Sequence, residues 1–290
     1  MTIAIEPLRE VDDLQSAVTL QRTILGPQAR ATWQLSHLLH IQQSGGLVLG
    51  ARESAPQDSQ TLRGILIDLI ATVDAYPARR TVTWCVDEGS RCQGIGVRLR
   101  RSERRTLKKE GVDLVYWDVD ALSSVELHVA LNKLGGIATG YTRNALGCSD
   151  SPHSWGLPTD RLRIEWWIDS PLVVARLERE LPLPHLQIGL HEITVLTKTT
   201  LTPTGARSLV ECEQNPTGDH VLVEIPEDLS KLQALDHDAA VQWGLRSRGC
   251  IEGLFQLGYL GVGLIHEGGR SFLHLKKGTR RTELTAANER

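Results

Sequence analysis

The spacing of apolar positions changes period several times along the chain, and each change marks an element. Residues 2–6 alternate, as a strand with one covered face does. From Arg9 to Leu25 the apolar positions Val11, Leu14, Val18, Leu20, Ile24 and Leu25 recur at roughly helical spacing. Asp12 and Asp13 fall in the first turn, where the helix dipole favours carboxylates. A second helix is predicted over Thr32 to Gln43, stopped by Gly45-Gly46. Apolar runs at 47–51 and 62–71 read as two strands, with the polar stretch Glu53 to Gln60 as their hairpin loop. Pro77-Ala78-Arg79-Arg80 is expected to separate them from the next strand, Thr81 to Val86, which is β-branched and aromatic. A turn with Gly89, Gly94 and Gly96 follows, then a helix from Gly94 to about Lys109, ended by Gly111. Beyond it come a strand at 114–119, a helix capped by Ser123 or Ser124 and running to Leu134, a strand at 137–146, a loop from Gly147 to Thr159, and a strand from Arg161 to Ile168.

After Asp169 the pattern changes, and the chain is divided accordingly into a domain 1–169 and a C-terminal extension 170–290. The extension opens on a short helix, Leu172 to Leu181. It continues through a strand-like region 186–200 and a polar loop reaching His220. Then come a strand at 221–226, a helical stretch from Asp228 to Leu257, and strands at 260–266 and 271–275. Thr279 to Arg290 is polar and expected to fray.

Composition narrows the classes. A length of 290 residues suits two domains, and 41% hydrophobic residues suffice for packed cores. A net charge of −3 argues against a general binder of nucleic acid or of membrane surfaces. There is no run of about 18 apolar residues and no signal peptide at Met1, so neither a membrane span nor secretion is expected. The five cysteines, Cys85, Cys92, Cys148, Cys212 and Cys250, are scattered without a CxxC, which reads as reduced thiols in a cytoplasmic protein with no metal site.

The chemistry is concentrated between Val82 and Val97. A strand running through a glycine turn into a helix is a candidate anion cradle, because the first amides of a helix lack intrahelical acceptors. A Walker loop is excluded by the absence of Gly-Lys-Ser/Thr, and the dinucleotide fingerprint by Leu99. What fits is Arg91-x-x-Gly94-x-Gly96. This resembles the coenzyme A loop of the GNAT superfamily of N-acetyltransferases, and the element order around it is similar to that fold. The block Leu157-Pro158-Thr159-Asp160-Arg161-Leu162-x-x-Glu165-Trp166-Trp167, the helix end Asn132-Lys133-Leu134-Gly135 and the segment Tyr141-x-x-Asn144-x-x-Gly147 resemble a bacterial branch of predicted acetyltransferases. The resemblance implies an α/β (α+β) fold, a mixed and mostly antiparallel sheet flanked by helices, with an appended C-terminal α/β half-domain. It further implies acetyl-CoA as cosubstrate, bound by the loop Arg91, Cys92, Gln93, Gly94, Ile95, Gly96 and Val97. The strand backbone near Cys85 and Val86 would pair with the pantetheine arm. A small-molecule amine is the implied acceptor, and a homodimer is compatible with the resemblance.

Direct attack of an amine on the thioester needs an acid and a base. The tyrosine that many members of the superfamily use as acid corresponds to Leu131 here, and the one frequent in the branch corresponds to Leu146. Tyr141 is then the candidate acid, with Tyr116 read as core or cleft wall. Asp120 and His128, near the end of the strand that holds Asp118, are the candidate base groups. Asp87 and Glu88 are alternatives acting through water. Cys85 reads as a buried thiol, and Arg98, Arg100, Arg101, Arg104 and Arg105 as mainly a solvated basic face. The missing tyrosines keep two other readings open: a protein that binds coenzyme A without transfer, and another thioester chemistry such as decarboxylation or O-acylation.

Overall fold

The computed structural model describes residues 2–26, 32–54, 61–147, 156–178, 193–214 and 216–278. The polar tail 279–290, Cys148 and most of the expected loops at 53–60 and 147–159 lie outside them. Two units are distinguished, Met1–Trp117 and Asp118–Arg290.

In the first unit, β1 (Thr2–Pro7), β2 (Leu47–Ser54), β3 (Thr61–Val73) and β4 (Tyr76–Val86) form successive antiparallel pairs. Alternation along the strands supplies two apolar faces. Val48, Ile65 and Ile67 pack with α1 (Val11–Leu25) and α2 (Leu35–Gln43), through Leu14, Val18, Leu38 and Ile41. Leu49, Ala51 and Leu66 on the opposite face pack with Ile95 and Leu99 of α3 (Ile95–Glu110). The sheet is thus covered on both sides.

The residues expected to separate β3 from β4 belong to β4. Val73 pairs with Tyr76 and Thr72 with Pro77. The turn is Asp74-Ala75, both left-handed at φ 50° and 66°. Two residues with positive φ make the tight hairpin turn whose twist suits the flanking strands. Without Gly or Asn there, the sequence carries no hairpin signal.

β4 then runs parallel to β5 (Leu114–Asp120), but only Arg79↔Val115 and Arg80↔Tyr116 pair. Next, Ile67 pairs with Thr83 while Asp68 pairs with Thr81, so Val82 is an extra residue on β4. Such a bulge bends its strand. Thr83 to Val86 therefore lie beyond the last β4–β5 pair, still held by β3 on their other side.

In the second unit a single turn α4 (Ser124–Leu127) passes into a π-helical turn, His128–Lys133, then β6 (Ile137–Thr142), β7 (Arg161–Trp167) and α5 (Pro171–Glu178). There follow β8 (Thr194–Val195), β9 (Thr197–Leu201), β10 (Arg207–Cys212), β11 (His220–Ile225), α6 (Leu229–Leu235), α7 (His237–Gln256), β12 (Tyr259–Glu267) and β13 (Arg270–Lys277). The sheet order is β7-β6-β12-β13-β11-β8, and β6 pairs with both β7 and β12. The expected boundary at 169/170 falls inside this unit. The Asn132 side chain joins its parts: Nδ2 donates to Leu264 O at 2.7 Å, and Oδ1 accepts from Leu264 N at 2.9 Å.

Three expectations are corrected here. The loop read up to His220 contains β10, which forms a separate hairpin with β9. The helix read from Asp228 to Leu257 breaks at Asp236, whose carboxylate caps α7 by accepting from Ala239 N at 3.0 Å. Cys212 and Cys250, read as free thiols, form a disulfide with Cα atoms 6.0 Å apart. A separation of 38 residues hides such a pair from any spacing rule, and the cytoplasmic expectation loses the support it drew from reduced thiols. The fold class is as expected: a mixed, mostly antiparallel sheet with helices, and an additional C-terminal region.

Candidate functional site

Strand β4 ends at Val86, and the chain is fixed there before it turns. Asp87 N donates to Arg63 O at 2.8 Å, and the Arg63 guanidinium bridges Glu53 (2.6 Å) and Asp87 (3.5 Å). One 3-10 turn, Glu88–Ser90, leads to Cys92 at φ 62° and Gly94 at φ 76°. Gly94 is the N-cap of α3 and supplies no side chain to its amides. The first helical bond runs from Arg98 N to Gly94 O. From Cys92 to Val97, therefore, six consecutive backbone N–H groups have no acceptor among the described residues. Residues 91–94 are exposed, Ile95 is buried, and Gly96 and Val97 are half-buried. Exposed donors at a helix start, with the positive end of the dipole behind them, form an anion cradle.

The two glycines of the loop have different reasons. Nothing lies within 4 Å of a Cβ placed on Gly94, so its requirement is the left-handed backbone. A Cβ on Gly96 would come 3.2 Å from the Trp84 ring, so its requirement is close packing of α3 on β4. The left-handed backbone and the unspent amides at this turn are compatible with an anion as ligand. Cys85 near the end of β4 is half-buried and packs on the face covered by α1 and α2; desolvation pushes its thiol up to about 12, opposed weakly by Arg91, so it is no thiolate nucleophile at neutral pH.

The basic face of α3 is only partly solvated. Arg98 is tied to Ile3 O at 2.5 Å, and Arg100 and Arg104 are buried, correcting the surface reading of these two. Arg100 is fully buried. Its guanidinium carbon lies 4.3 Å from the Trp84 ring on β4 and 3.9 Å from the Trp117 ring on β5. Its Nη1 donates to Thr81 Oγ1 (2.8 Å) and to both oxygens of the buried Glu103 (3.1 and 2.9 Å). Asp68 completes the group, fully buried. Desolvation, and then the charge of Glu103, push its carboxyl well above the usual range, with Arg100 and Thr81 opposing. This cluster was missed because charged residues three apart on a helix read as a surface pair. The available signal was Asp68 inside the apolar run 65–70.

The proposed proton-handling residues lie in the second unit. Tyr141 Oη donates to Asp160 Oδ2 at 2.5 Å, and Arg248 holds both oxygens of Asp160 at 2.8 and 2.9 Å. Asp160 also accepts from Asn144 N at 2.8 Å. Burial and this hydrogen bond push the Tyr141 phenol far up, and the donors around Asp160 hold its carboxyl below the usual range. Asp120 accepts from Leu122 N (3.0 Å) and Arg161 Nη1 (2.7 Å). Tyr141, Asp120 and Asp160 line one cavity of about 10 Å³, room for about one water. His128 is not among its lining residues. The His128 Nδ1 lies 3.2 Å from Asn132 Nδ2, and burial lowers its basicity. Because Asn132 Nδ2 can only donate, the imidazole proton belongs on Nε2. Leu131 is packed in the core, and Leu146 is exposed. Tyr116 is buried with Arg80 over its ring, and Trp166 is buried with Nε1 donated to Leu134 O at 2.9 Å.

No family model and no curated protein matches the sequence. Solved structures similar to the chain include the ribosomal-protein-S18-alanine N-acetyltransferase from Escherichia coli, at 18% identity over 57% of this chain and 93% of that one, with a TM-score of 0.43. The NatC complex bound to Gag peptide and CoA is similar at 14% identity over 57% and 98%, TM-score 0.46. A GNAT-family acetyltransferase from Streptococcus pneumoniae is similar at 11% identity over 57% and 98%, TM-score 0.46.

Proposed function

We propose that the chain binds an acyl-coenzyme A through the cradle at 92–97 and transfers the acyl group, acetyl by default, to an amine of a small molecule. The observation that carries this is the run of six unspent amides at the end of a strand that has left its neighbour. Acyl-coenzyme A, when bound, would supply an activated thioester carbonyl, with the coenzyme A thiol as leaving group. The chain's own part is positional. The amides from Cys92 to Val97 would hold the pyrophosphate with no side-chain charge required. Thr83 to Val86 would offer backbone groups to an extended arm, as a strand edge does to a peptide. Isothermal titration with acetyl-CoA tests it: saturable binding in the micromolar range is expected, and no heat at about 1 mM ligand would end the proposal.

Proton transfer would fall to side chains that already have partners. The Tyr141 proton already serves Asp160, and Asp120 is paired with Arg161. Tyr141→Phe is expected to cost about 0.5–1.5 kcal/mol of stability by urea unfolding and to lower kcat less than about tenfold. A fall of about 100-fold at unchanged KM would assign the acid to Tyr141. These commitments, with leucine at 131 and 146, favour one second reading, a coenzyme A binder without transfer. Turnover of acetyl-CoA against a broad amine panel separates the two, because the second reading expects binding without free thiol release.

A further inference from the structure

The second unit holds a cavity of about 350 Å³, in the size range of small-molecule sites. It is built by two tight turns that each deliver an arginine as the first residue of a strand. Arg207 opens β10 after Gly205, and Arg270 opens β13 after Gly268-Gly269. Both converge on Glu224 of β11, whose side chain is 1% exposed. Arg270 donates to it through Nε (3.1 Å) and Nη2 (2.5 Å). Arg207 Nε lies 3.6 Å away, and its Nη1 donates to Thr199 Oγ1, which itself donates to Glu224. Trp243 fixes the Arg207 backbone by donating Nε1 to its carbonyl at 2.8 Å.

At Glu224 one carboxylate thus faces two guanidinium groups, a local surplus of one positive charge at that end of the cavity. Neither Arg207 Nη2 nor Arg270 Nη1 has an acceptor among the described residues, although both side chains line the cavity. Of the other charges that line the cavity, Lys231 lies 3.6 Å from Asp228, and Glu227 lies 3.8 Å from His266, an ion pair only when that imidazole is protonated. The lining also has apolar side chains, Leu232 and a Leu235 that is 56% exposed.

We infer that this cavity binds a small organic monocarboxylate, its carboxylate on the free edges of Arg207 and Arg270 and its apolar body along Leu232 and Leu235. The site is separate in residues from the cradle, so it stands whether or not the chain transfers acyl groups. Planar guanidinium forks match a carboxylate in two-point fashion, which an ammonium could not reproduce.

The test is titration by ligand-observed NMR with four probes: phenylacetate, phenethylamine, benzyl alcohol and inorganic phosphate. Phenylacetate is expected to saturate at or below about 1 mM, the amine and the alcohol not to saturate, and phosphate to bind at least about tenfold more weakly. Arg207→Gln, at a half-exposed position, should weaken phenylacetate about tenfold or more. Glu224→Gln should strengthen it by removing the competing carboxylate. Where Glu224→Gln fails to fold, Arg270→Gln takes its place, with the same loss expected as for Arg207→Gln. Phosphate binding as tightly as phenylacetate would overturn the apolar half of the assignment. Equal binding of phenethylamine, an unchanged constant in Arg207→Gln, or no saturation by about 10 mM phenylacetate would overturn it entirely.

Discussion

Replacing Gly94 by valine is expected to raise the Kd for the proposed ligand acetyl-CoA by about 100-fold or more, equivalent to about 2.7 kcal/mol. The residue sits at φ 76° with open space around its missing Cβ. Valine is not crowded out by a neighbour; it is excluded by the backbone conformation, which costs an L-residue roughly 1–2 kcal/mol and a β-branched one more. Relief of that strain swings the peptide planes on either side and disperses the amides at 92–97 that the proposal requires to converge. Loss of stability alone could mimic loss of binding, so a matched control is needed. Gly111 caps the other end of the same helix at φ 71°, also with nothing within 4 Å. Gly111→Val should lose comparable stability in a thermal melt while leaving the Kd within about twofold. Equal Kd changes in the two variants would mean that the loop is merely a helix start. Gly96→Ala is a different perturbation, because it presses on Trp84 and tests packing.

Much of the frame could be read from the chain. The alternation at 47–51 and the apolar run at 62–71 carry two face periodicities, and the glycine turn marks the helix start that the cradle uses. What escaped reading shares one physical cause: a partner far away in sequence. Asp74-Ala75 turns tightly because the β3–β4 ladder holds two non-glycine residues at positive φ. Arg207–Cys212 has no strict alternation and is a strand because β9 pairs with it. Cys212 meets Cys250 only through the packing of β10 near α7. Among candidate site residues, Cys92 to Val97 could be nominated from the chain itself, because a run of unspent amides at a helix start is a local backbone property. Tyr141 and Asp120 were nominated by elimination, and the sequence could not reveal that Arg248 and Arg161 already occupy their neighbourhood.

The buried cluster behind the cradle should dominate the stability of the first unit. Arg100→Met is expected to destabilise by about 3–5 kcal/mol in urea unfolding, because it leaves the buried Glu103 carboxyl without its guanidinium partner. It also removes the guanidinium from between two indole rings, a contact worth up to about 2 kcal/mol when desolvated. The Trp84 ring is then free to shift under Gly96, so the Kd for acetyl-CoA should rise as well, by about tenfold. Asp68 behaves in the opposite way. Its folded-state pKa is raised, first by burial and then by Glu103. Its contribution is therefore fully present below the unfolded value of about 3.9 and is lost as pH rises through the folded value. Asp68→Asn keeps the shape, cannot ionise and can donate to Glu103. The variant should be more stable than the parent at pH 8, with the difference shrinking as the pH falls toward about 4. Unfolding curves at four pH values for the parent and both variants decide the matter. A destabilised Asp68→Asn at pH 8 would show that the buried carboxyl works as an anion, with Arg100 as its counter-ion. An Arg100→Met loss below about 1 kcal/mol would show that water reaches Glu103.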